Sequence, residues 1–212
     1  YTYSYAVPTG DGTGTVTVGT GTDAASNVVT SVPTSGATFT VDNTAPTLTA
    51  VTQVSTPGND TTPSYVFTTD EAGTITTNIT EGFSTSASAA TGSDQTITFN
   101  TLGAGTYTGK TVIVTDAAGN AGSITMTEFV IDTTAPTAAI TYSSAGPYKN
   151  GETVTITATF NGAVLDSPVP TIAIAGSGIA NVTSTNMTKV STTSYTYSYA
   201  VPTGDGTGTV TV

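Results

Sequence analysis

Val41-Asp42-Asn43-Thr44-Ala45-Pro46-Thr47 returns 90 residues later as Ile131-Asp132-Thr133-Thr134-Ala135-Pro136-Thr137. Each copy closes a run of alternating apolar and polar residues, sets down one carboxylate, a few small polar residues and a proline, and then opens another alternating run. Proline fixes its own φ and drives the residue before it into an extended conformation, so neither a helix nor a central ladder runs through the stretch. It reads as a stiff joint between β domains.

Working outward, residues Tyr1–Val18 recur letter for letter as Tyr195–Val212, at an offset of 194 residues. The chain therefore reads as a window on a tandem array with that period, and two joints per period make two modules. The expected organisation is residues 1–46 as the C-terminal half of one module, 47–136 as a complete second module, and 137–212 as the N-terminal part of the first type again.

Period-2 alternation, with Thr outward and apolar residues inward, marks strands at Ser64–Thr69, Gln95–Phe99, Tyr107–Val114, Ser123–Ile131, Thr153–Phe160, Thr171–Ile174, Ser194–Val201 and Thr207–Val212. Turn formers separate them, among them Pro57-Gly58-Asn59-Asp60, Leu102-Gly103-Ala104-Gly105 and Pro202-Thr203-Gly204-Asp205-Gly206. No stretch keeps a helical period, and a disordered Thr/Ser/Gly stalk would not keep the alternation. The expected class is all-β: tandem Ig-like antiparallel β-sandwich domains of about seven strands. Tyr107, near the start of strand F, has the place of a tyrosine corner. Tyr195, Tyr197 and Tyr199 share one face of a strand and are expected to pack between sheets.

Composition narrows the function. Charged residues make up 8% of the chain, with three lysines, no arginine, fourteen carboxylates and a net charge of −11. That excludes the basic patch that nucleic acid or an anionic lipid surface needs, and makes cations the natural partners. With no histidine and no cysteine, zinc and haem ligation by the usual side chains and any His-based triad are absent. The acids lie at module ends rather than around a cleft, so no enzyme is expected. No apolar run is long enough for a membrane-spanning helix.

A second motif occurs twice: Thr22-Asp23-Ala24-Ala25-Ser26-Asn27 and Thr115-Asp116-Ala117-Ala118-Gly119-Asn120. Alone it reads as an Asx-type turn. Strand direction adds to it, because the incoming linker, the B–C loop and the F–G loop of a seven-strand sandwich reach the same pole. In the complete module this brings Asp42, Asp70, Glu71, Asp116 and the amide oxygen of Asn120 together. Such a cluster is repulsive without a cation, and hard oxygen donors of this kind suit Ca²⁺. The split module has a thinner counterpart in Asp132 with Asp23 and Asn27 of the following copy, and has Asn161 where the complete module has its acidic pair.

The succession of alternating strand, Thr-Asp-Ala-Ala-Gly-Asn, strand and Asp-Asn-Thr-Ala-Pro resembles the bacterial Ig-like tandem repeats of giant surface and biofilm adhesins, over essentially the whole chain. The resemblance implies an extracellular, cell-surface location and an extender role in cell adhesion. It also implies Ca²⁺ at domain junctions, with Asp42 and Asp132 as linker ligands and Asp23 and Asp116 as loop ligands. Ser26, where the family usually has Gly, and Asn161, where an acid is common, depart from it. The expected function is a calcium-stiffened extender or stalk segment whose partners are neighbouring repeats of the same protein, head to tail. Two alternatives stand beside it: a repeat of an extracellular filament or sheath completed by strand complementation, and an adhesive module that binds a glycan or protein.

Overall fold

The computed structural model describes residues 2–29, 33 and 35–212, and these contain strands and turns but no helix. The chain divides into two compact units, Tyr1–Thr133 and Thr134–Val212.

Unit 1 holds β1 (Gly12–Thr15), β2 (Thr38–Val41), β3 (Leu48–Thr52), β4 (Ser64–Thr69), β5 (Gly73–Thr77), β6 (Ser88–Ala89), β7 (Gln95–Thr98), β8 (Gly105–Tyr107), β9 (Thr111–Thr115), β10 (Ala121–Thr125) and β11 (Phe129–Ile131). One antiparallel sheet has the order β3-β4-β7 and a second the order β10-β9-β5-β6. In immunoglobulin terms these are A-B-E and G-F-C with a short flanking strand. Alternation puts Tyr65 and Phe67 of β4 and Ile97 of β7 into one core with Ile75 of β5 and Val112 and Val114 of β9.

Two of the expected strands are interrupted. The run Tyr107–Val114 breaks at Thr108–Lys110, where Gly109 takes a left-handed φ of 63°, and Ser123–Ile131 breaks at Met126–Glu128. The Met126 N–H donates to the Lys110 carbonyl at 2.8 Å while its side chain enters the core. Strands F and G stay paired across the breaks, but β9 and β10 belong to the four-stranded sheet, whereas β8 and β11 form a two-stranded ladder of their own. Tyr107 stacks on Phe129 with ring centroids 4.9 Å apart, and its hydroxyl donates to the Gly103 carbonyl at 2.9 Å, forming the tyrosine corner.

Ahead of this sandwich, β1 and β2 pair antiparallel in the register Gly12↔Val41, Thr13↔Thr40, Gly14↔Phe39. It is the register of β8 and β11, Gly105↔Ile131, Thr106↔Val130, Tyr107↔Phe129. The burial differs: Phe129 is 1% exposed and Phe39 37%, and no described residue before Asn43 is buried.

Unit 2 holds β12 (Ala138–Tyr142), β13 (Thr153–Phe160), β14 (Thr171–Ser177), β15 (Val182–Asn186), β16 (Thr188–Lys189), β17 (Ser194–Ala200) and β18 (Thr207–Thr211). They form antiparallel sheets of order β12-β13-β17-β16 and β15-β14-β18. Tyr195 is fully buried in its core with Ile156, Ile172 and Ile174, and Tyr197 and Tyr199 pack against that core.

Candidate metal centre

Three segments of unit 1 build the centre. The first is the F–G turn. Asp116 accepts the backbone N–H groups of Gly119 (2.7 Å) and Asn120 (2.8 Å) on Oδ1 and the Asn120 side-chain amide (2.8 Å) on Oδ2. Gly119 closes the turn with a φ of 99°, a left-handed conformation that costs glycine little. Asp23 makes the same turn with Ala25 and Asn27, and there Ser26 is held at a φ of 67°.

The second segment is the linker. The Asn120 amide that holds Asp116 also donates to the Asp42 carbonyl at 3.1 Å, tying linker to loop. Asp42 Oδ1 accepts the Thr44 N–H at 3.1 Å. Further on, the Pro46 carbonyl passes so close to Gly122 that a Cβ there would sit 1.7 Å from its oxygen.

The third is the B–C loop between β4 and β5. Buried Thr69 donates its hydroxyl to the Glu71 carbonyl at 2.9 Å, which orients the loop. The carboxylate oxygens of Asp42, Glu71 and Asp116 then lie within 4.8 Å of one another, with Glu71 and Asp116 half-buried.

The electrostatics follow from this convergence. Partial burial, then the charges of Asp42 and Asp116 and, further off, Asp70 and Asp11, push the Glu71 carboxyl above its ordinary value. Burial alone would raise Asp116 too, but hydrogen bonds from Asn120 and Gly119 outweigh it and hold Asp116 low. No lysine neutralises the cluster: among the described residues the ion pair is Lys189 with Asp166, in unit 2.

The remaining expected site residues stand outside the group of three carboxylates, and each has neighbours of its own. Asp70 is engaged with the linker, accepting the Thr47 N–H at 2.6 Å on Oδ1 and returning its own N–H to the Thr47 carbonyl at 3.3 Å, which lowers its pKa. In unit 2, Asn161 makes the same reciprocal pair with Thr137, at 2.9 and 3.0 Å. An amide serves there as well as a carboxylate. Asn120 turns its amide nitrogen to Asp116 and Asp42, so it orients two acids. Asp132 directly follows β11, its N–H donating to the Gly58 carbonyl at 2.8 Å, and Asp23 and Asn27 are held in their own turn. The centre's acids are Asp42, Glu71 and Asp116.

One contributor goes unnoticed in the sequence. Asp11 accepts the Asn43 N–H at 2.6 Å and the Thr44 hydroxyl, fixing the linker just beyond Asp42. The only hint is that Gly10-Asp11-Gly12 recurs as Gly204-Asp205-Gly206.

Compared with known proteins, the sequence matches no family model and no curated protein. The chemistry of the centre is therefore read from its donors. Three carboxylates from three segments, one held low by amide donors and one raised by its neighbours' charge, form a hard-oxygen set whose repulsion a divalent cation removes. Calcium takes six to eight such oxygens at about 2.3–2.6 Å, with carbonyls and water completing the shell. Asp42, Glu71 and Asp116 fit that demand.

Proposed function

We propose that this chain is a non-catalytic extender segment of a repetitive extracellular surface protein, with calcium stiffening the joint at Asp42. The reading rests above all on the meeting of the joint's own carboxylate with one acid from each of two loops of the complete module. A cation held there ties the linker to the sandwich, and the 194-residue repeat multiplies that joint along an array. The resemblance to bacterial Ig-like adhesin repeats favours the same role and an extracellular setting, where free calcium is about a millimolar, within reach of the weaker class of protein calcium sites.

Binding to the folded state adds stability by mass action. For a dissociation constant of about 0.1 mM, in the range of extracellular modules, about 1 mM calcium contributes about 1.4 kcal/mol. In a unit of this size that is about 5 °C in the unfolding midpoint. The test is thermal unfolding in millimolar Ca²⁺ and in excess chelator, on the wild-type chain and an Asp42→Ala, Asp116→Ala double variant. Calcium raises the midpoint of the wild type and leaves the variant unmoved; an unmoved wild type sinks the proposal.

A further inference from the structure

Strand G of the complete module pairs with strand F along one edge, through β10 and β11. Its other edge meets the first segment of the module, residues 46–58. At the entry end the Pro46 carbonyl lies over Gly122. Further along, the Thr127 N–H donates to Gln53 Oε1 at 3.3 Å and the Val130 N–H to Thr56 Oγ1 at 2.9 Å, and both bonds join residues 74 apart. At the exit end the Gly58 N–H donates to the Val130 carbonyl at 3.0 Å and the Asp132 N–H to the Gly58 carbonyl at 2.8 Å, a parallel bridge between Gly58 and Ile131. The two segments therefore run side by side in the same direction, from the pole where the chain enters the sandwich to the pole where it leaves.

The seam between them is made partly by side chains. Past Thr52 the first segment has left the β3 ladder, and Pro57, which has no N–H of its own, keeps Thr56 extended. There the Gln53 amide and the Thr56 hydroxyl take the N–H groups that strand G turns outward. Ile131 and Phe129, next to these bonds in strand G, are buried in the core, so the strand that carries the seam is anchored behind it.

We infer that this seam is a mechanical clamp, through which the complete module resists tension along the chain by loading the bonds between residues 53–58 and 127–132 in shear. Tension enters at Pro46 on one pole and leaves at Asp132 on the other, so it pulls the first segment and strand G in opposite directions along their common axis. Hydrogen bonds between strands lie across that axis. All four bonds of the seam are then strained together, whereas two segments pulled apart from one end would lose them one after another. Because the two loaded segments are direct neighbours, the load crosses from one to the other at the seam. The seam needs no calcium, and only the direction of the load comes from the extender reading.

The test is single-molecule force spectroscopy in excess chelator, where failure of the calcium centre leaves the result untouched. The chain has no cysteine, so Ala45→Cys and Thr133→Cys place handles on the full chain that flank the complete module and load it alone. Resistance to force follows the unfolding rate. Adding Gln53→Met and Thr56→Val is expected to speed unfolding at a given force about tenfold, because two hydrogen bonds of ordinary strength are missing from the barrier. Adding Ile75→Val instead, which thins the core away from the seam, is expected to lower the melting midpoint and leave the rate under force unchanged. A seam variant that unfolds at the wild-type rate overturns the clamp, as does an Ile75→Val chain that is speeded as much. The direction of pulling gives a check that keeps the seam residues intact. Handles at Asn59→Cys and Thr133→Cys open the seam from its exit end, one bond at a time, and are expected to need a lower force than the flanking pair; equal forces overturn the shear geometry.

Discussion

Among the three acids of the centre, Glu71 and Asp116 have opposite effects on stability. Glu71 is raised in the folded protein, so the folded state binds its proton more tightly than the unfolded chain does. Stability from this group therefore falls as pH rises from the ordinary glutamate value through the raised one. Asp116 and Asp70 are lowered, so the stability they bring is present at neutral pH and lost as pH falls through their folded values. In chelator the optimum should lie on the acid side of neutrality, near the ordinary carboxylate range of about 4 to 5. Calcium, which binds the charged forms, moves it toward neutral pH. Glu71→Gln removes the like charge without changing shape. At pH 7 in chelator the variant is expected to melt above wild type, and in millimolar calcium below it. Melting curves under the two conditions check the crossing, and a variant that is lower in both would show that Glu71 supports the apo fold instead.

At the scale of elements, what could be read in the sequence is whatever the period-2 pattern touches. β4 and β13 alternate buried and half-exposed residues and were visible with their full bounds. β5 and β6 were not, because one Ile among Gly and Thr, and a two-residue Ser-Ala strand, leave too little contrast to read. Strand direction was enough to bring linker, B–C loop and F–G loop to one pole. It could not say which lone pair of Asp70 or which end of the Asn120 amide faces the cluster, since backbone partners a few ångströms away decide that. Asp11 was beyond reach, acting on a linker 32 residues away. The close pass of Pro46 over Gly122 gives an element-scale prediction. An alanine Cβ there would have to displace the linker's carbonyl. Gly122→Ala is expected to destabilise unit 1 by about 1–3 kcal/mol, the usual cost of forcing atoms into a packed site. Because Asp42 sits on the displaced linker, calcium affinity should fall with it, by about tenfold or more, as for loss of an outer support. Calorimetric titration alongside denaturant unfolding separates the two effects. Lost stability with unchanged affinity would mean that the linker shifts without moving Asp42.

For the molecule as a whole, the two units carry different shares of apolar core. Among the described residues, fourteen buried ones form the cluster in unit 1 and seven the cluster in unit 2. Each fully buried side chain of this kind is worth about 1.5–3 kcal/mol against exposure, so the smaller core leaves unit 2 the less stable. Calorimetry in chelator is expected to resolve two transitions, the lower one from unit 2. On the proposed reading calcium would act through Asp42, Glu71 and Asp116, all in unit 1, and should raise the upper transition while leaving the lower in place. Calcium moving both transitions together would mean that the units unfold as one cooperative body. An upper transition that moves alone would confine the joint's effect to the module that carries it.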